Sequence, residues 1–107
     1  MNADILELPK KEYNIAKRRL EKMAKMKLGD NPHAFHVMYG DKHMIIYNQD
    51  SNFDKDMKEI VIQHEMAHAR GVKGEEDADR EALKKLNKKR QDILKSYWKV
   101  RHGYDYE

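Results

Sequence analysis

Between Pro9 and Leu28 the apolar positions Tyr13, Ala16, Leu20 and Met23, then Met26 or Lys27, recur at intervals of three and four, the repeat of one helical face. Pro9 suits a first helical turn and Gly29 a stop, which predicts a first helix over 9–28. Ile5, Leu6 and Leu8 ahead of it read as a short strand or an apolar lead-in, and Asp30, Asn31 and Pro32 behind it as a turn. The period then changes. Ala34 to Tyr39 alternates in side, Gly40-Asp41 interrupts, and His43 to Tyr47 is again rich in β-branched and aromatic residues, the pattern of a β-hairpin. A second helix is predicted from about 54 to 70, capped by Asp54 or by Ser51 with Asp54, striped by Met57, Ile60, Val61, His64 and His68, and ended by Gly71. After Val72-Lys73-Gly74 a single long helix is expected from Glu75, with Glu75, Asp79, Ala82, Leu86, Ile93, Tyr97 and Val100 along one face.

These elements make an α+β fold: N-terminal helix, β-hairpin or small sheet, central helix and long C-terminal helix. At 107 residues the chain has room for one modest core, so a single domain over 1–107 is expected, with a basic helical extension over about 87–101. No apolar run approaches the ~18 residues of a membrane span, and the N-terminus lacks the pattern of a secretory signal, so no membrane partner and a cytoplasmic location are expected. The net charge of +3 sets 22 Lys and Arg against 19 Asp and Glu, too mild to argue for nucleic acid. The run Lys84, Lys85, Lys88, Lys89 and Arg90, with Lys95, Lys99 and Arg101 beyond, is read as a solvated helix face ahead of a nucleic-acid footprint. Trp98 and Tyr97 are expected to anchor its far end against the first helix, and Met23, Met26, Met38, Met44, Met57 and Met66 to fill the core.

Cysteine is absent, which removes disulfides, thiolate ligands and thiol nucleophiles; a metal here must be held by His, Asp, Glu or water. His64-Glu65-Met66-Ala67-His68 supplies a pair of imidazoles one helical turn apart on one side, able to converge on one ion. One zinc ion per chain suits them, because a catalytic zinc takes three protein ligands and leaves a fourth position to water. Glu65 then becomes the candidate general base acting on that water. His33, His36 and His43 are read as strand or turn residues.

A third ligand is expected from Glu75-Glu76-Asp77-Ala78-Asp79. Glu75 and Asp79 lie one turn apart and continue into the apolar stripe, so Glu75 is assigned as the metal ligand. Asp79 becomes the supporting carboxylate that accepts the other ring N–H of a ligand histidine. Asp79 and Glu76 remain the alternatives for the ligand itself. Acidic residues also offset the partial positive charge of a helix N-terminus, by ~0.3–1 kcal/mol each, and that accounts for Glu76 and Asp77.

HEMAH followed by Glu75-Glu76-Asp77-Ala78-Asp79 resembles the HExxH and downstream ExxAD motifs of the gluzincins, as in ImmA/IrrE-like and CAAX-prenyl-protease-like metallopeptidases. The resemblance covers about residues 35–86. It implies a minimal zincin-like domain with Glu75 as ligand and Asp79 as its supporting residue, and a zinc-dependent metallopeptidase in which Glu65 activates the zinc-bound water. The spacer 69–74 between His68 and Glu75 is shorter than those families usually have. Gly71 also completes HExxHxxG as in metzincins, but their next ligand position falls on Gly74, which has no side chain to bind with.

The resemblance further implies a protein or peptide substrate, by analogy one cognate protein, held by strand addition on Phe35–Tyr39 or His43–Tyr47. Tyr47, Tyr104, Tyr106 and His102 are the candidate donors to a transition-state oxyanion. The rival expectation is a zinc-stabilised binding module, for protein or nucleic acid, without turnover.

Overall fold

The structure, a computed structural model, describes residues 3–25 and 32–106. The fold is α+β, with five helices and one three-stranded mixed sheet among the described residues. The chain divides into two compact units, Met1–Asn52 and Phe53–Glu107.

In the first unit, strand β1 (Asp4–Leu8) precedes helix α1 (Lys10–Ala24), and strands β2 (Ala34–Tyr39) and β3 (Lys42–Asn48) form the hairpin. Its two-residue turn has positive φ at Gly40 (65°), where a side chain is disfavoured. The sheet order is β1-β3-β2, with β1 parallel and β2 antiparallel to β3. The lead-in Ile5 to Leu8 is thus a strand. Because β3 is central, its ladder is filled on both sides, so His43–Tyr47 has no edge to offer an added peptide strand. Of the two segments expected in that role, only Phe35–Tyr39 lies on an outer strand.

Tyr13 carries α1 onto one sheet face, packing with Phe35 and Ile46 and flanked by Leu8, Leu20, Val37 and Met44. Its ring lies 5.2 Å from that of Phe35. Pro9 stands just before α1 rather than in its first turn, and Asp50 accepts the Lys10 N–H at 2.8 Å. The helix closes earlier than expected, with left-handed Lys25 donating its backbone N–H to the Glu21 carbonyl. Met26, Lys27, Leu28, Gly29 and the turn at Asp30-Asn31 lie outside the described residues. Met23 and Met38, expected as core filler, are 78% and 63% exposed: their long thioethers extend past the apolar stripe into solvent.

The second unit holds helices α2 (Lys55–Ala69), α3 (Glu75–Lys85), α4 (Lys88–Ser96) and α5 (Trp98–His102). Asp54 itself caps α2, accepting the Met57 N–H at 2.9 Å. The long C-terminal helix expected from Glu75 is three helices. Leu86 adopts an extended backbone (ψ 151°), and Asn87 caps α4 by accepting the Arg90 N–H at 2.9 Å. Gln91 donates to the carbonyls of Leu83 (2.8 Å) and Leu86 (3.1 Å) at the break, where the Leu83 carbonyl also receives the Leu86 N–H at 3.4 Å.

The break lets α4 fold back instead of extending. Ile60, Ala82, Leu83, Leu86, Leu94 and Trp98 close a core with Met57, Ile93 and Tyr106 at its edge. Trp98, expected to anchor on the first helix, sits in this cluster, whose members all belong to the second unit. Tyr97 and Val100 leave the predicted stripe and are 48% and 85% exposed. The basic run is largely paired: Lys84 with Glu81, Lys88 with Asp92, and both Lys89 and Arg90 with Asp56. None of the described helices is long and apolar enough to cross a membrane.

Candidate metal centre

The turn that ends α2 orients one histidine, and a side chain of α3 the other. At the C-terminus of α2 Arg70 is the cap and Gly71 takes φ 95°. The Gly71 N–H bonds to the His68 carbonyl (3.0 Å) and the Val72 N–H to the Ala67 carbonyl (3.1 Å), the paired closure of a Schellman motif. That closure brings the Val72 carbonyl to His68 Nδ1, which donates to it at 2.9 Å. His64 Nδ1 donates to Asp79 Oδ1 at 2.7 Å. With a proton on each Nδ1, the neutral rings present bare Nε2 lone pairs, and these face each other across 3.1 Å.

A third group reaches the same point. Glu75, the first residue of α3, places Oε2 2.8 Å from His64 Nε2 and Oε1 3.3 Å from His68 Nε2. With both rings neutral these are three acceptors, an arrangement that a shared cation satisfies. Ligands at ~2.0–2.1 Å on the corners of a tetrahedron lie about 3.3–3.4 Å apart, close to the separations found here. The donor set fits zinc: two imidazole nitrogens and one carboxylate, each ring hydrogen-bonded behind. Glu65 completes the cluster. It is 6% exposed, and a carboxylate oxygen lies within 4.8 Å of a ring nitrogen of both histidines.

The electrostatics follow from burial and neighbours. Burial pushes the Glu65 carboxyl up, Glu75 adds to the rise, and the two histidines only partly oppose it. Burial disfavours the cationic form of His64, but the Asp79 hydrogen bond and charge outweigh it and raise its pKa. Asp79 is fully buried; burial alone would raise it, yet His64 and Arg101 hold it down at about 2.

Of the residues expected at the site, His64, Glu65, His68, Glu75 and Asp79 are brought together. The acids assigned to the helix start are not: Glu76 lies 3.4 Å from Arg80, and Asp77 is exposed. Of the candidate oxyanion donors, His102 has its Nε2 committed to Asp79 at 2.6 Å, the Tyr104 hydroxyl accepts from Arg80 at 2.8 Å, the Tyr106 ring packs edge-on against Trp98, and Tyr47 lies on β3. His36 and His43 hydrogen-bond each other at 2.8 Å on the hairpin, and His33 bonds Ser51 at 2.9 Å.

The sequence reasoning missed the Val72 carbonyl, although Gly71 as a helix stop was the signal for it, and the pair Arg101 and His102, which the basic run concealed. Gly71→Ala should cost about 1–2 kcal/mol, because a Cβ is strained at this φ although nothing crowds it. Urea unfolding of the variant checks this; unchanged stability would mean that the turn relaxes without loss.

Compared with protein-family models, curated proteins and solved structures, the chain matches none.

Proposed function

We propose that this chain is a zinc-dependent metallopeptidase of gluzincin type, acting on a protein or peptide substrate in the cytoplasm. The observation that carries the reading is the convergence of His64 Nε2, His68 Nε2 and the Glu75 carboxylate, with the buried Glu65 beside them. His64, His68 and Glu75 would hold the ion. When bound, zinc would supply a positive charge that acidifies water toward a pKa of ~7 and polarises a peptide carbonyl. Glu65 takes the proton from the attacking water and returns it to the leaving amine. Asp79 and the Val72 carbonyl keep the two rings turned with Nε2 toward the ion.

Metal analysis joined to a cleavage assay tests this. The parent should carry one zinc, Glu75→Ala should lose it, and chelator should abolish cleavage of an unstructured protein until zinc is restored. A parent without zinc sinks the proposal. A parent with zinc but no cleavage makes the chain a zinc-stabilised binding module.

A further inference from the structure

We infer that Arg101 and His102 of α5 are positioning residues for the metal centre: they hold Asp79, and Asp79 in turn holds His64 for the ion. The inference rests on the zinc reading above. α5 is short, but Trp98 is fully buried and seats it in the core, and Gly103 in a left-handed conformation closes its end. Arg101 and His102 follow Trp98 by three and four residues, so all three share one helical side. The His102 ring packs on the Trp98 ring at 4.5 Å, which restricts its orientation.

Asp79 accepts four hydrogen bonds. Oδ1 receives His64 Nδ1 at 2.7 Å and Arg101 Nη2 at 3.0 Å; Oδ2 receives Arg101 Nε and His102 Nε2, each at 2.6 Å. The two-pronged guanidinium contact sets the carboxylate plane, and His102 pins the oxygen far from His64. Without them three of the four bonds that orient the Asp79 carboxylate are gone, and His64 loses a firmly fixed acceptor. Lys84, Lys88, Lys89 and Arg90 pair with acids that keep some solvent contact, whereas Arg101 pairs with one fully buried.

Two effects oppose each other when Arg101 is removed. Asp79 keeps an uncancelled negative charge, which strengthens His64 as a donor, and it loses its orientation, which weakens the site. The Arg101 side chain is 39% exposed, so solvent already screens its charge, and the loss of orientation dominates.

The test uses the full chain, stripped of metal and titrated with zinc against a chromophoric chelator. Arg101→Gln and His102→Gln should each weaken zinc binding about 10-fold, the lower end for partners of a ligand's partner, and Arg101→Lys should recover part of it. In an Asp79→Asn background neither change should weaken binding further, whereas a merely structural role gives additive losses. The absorption of bound Co²⁺ should shift in Arg101→Gln if His64 reorients. Unchanged affinity, or additive losses with Asp79→Asn, overturns the inference and leaves the zinc reading standing; a parent that binds no zinc overturns both.

Discussion

Glu65→Gln should keep its zinc and lose peptide hydrolysis by about 10²–10⁴-fold, the share of a rate that a positioned general base supplies. The amide has nearly the shape of the carboxylate, so the buried site keeps its packing, but it has no lone pair basic enough to take a proton from water. The ligand geometry does not run through Glu65. His64 is oriented by Asp79 and His68 by the Val72 carbonyl, so metal content should match the parent. Zinc content and cleavage rate must be measured on the same preparation. A variant that cleaves as fast as the parent removes Glu65 from the proposed mechanism.

Trp98→Ala should destabilise the protein by about 3 kcal/mol, at the low end of the ~3–5 kcal/mol usual for truncating a buried tryptophan. Its indole is fully buried among Ile60, Ala82, Leu83, Leu86 and Leu94. The reduction has a specific source. The indole N–H has no partner among the described residues, and leaving such a donor buried costs about 1–3 kcal/mol in the native state. The substitution removes that cost together with the packing. Urea unfolding at fixed metal content measures it. A loss below about 1 kcal/mol would mean that the neighbouring side chains collapse into the space.

The hairpin, the capped start of α2 and its glycine stop were legible in the sequence, because each depends on neighbours within a few residues. Asp54, Gly40 and Gly71 carry those signals themselves. The helix break at Leu86-Asn87 was not legible. The apolar period passes through it undisturbed, and what favours the break, the cap by Asn87 and the Gln91 amide over the Leu83 and Leu86 carbonyls, is local polar chemistry that periodicity does not register. The same reason hid part of the candidate site. Glu75 and Asp79 could be read from the stripe leading out of the HEMAH helix, but Arg101 reaches Asp79 only because α4 and α5 fold back. In sequence it is one cation in a basic run.

The two candidate ligand histidines differ in what stands behind them. His64 leans on a side chain, Asp79, so a single codon change can remove its support, and protonation of that carboxyl can weaken it. His68 leans on the carbonyl of Val72, a group that every residue type carries. No substitution at position 72 deletes that acceptor, so sensitivity moves one position back to Gly71, whose φ of 95° is what aims it. One half of the centre is therefore encoded in the identity of a residue, and the other in the path of the main chain.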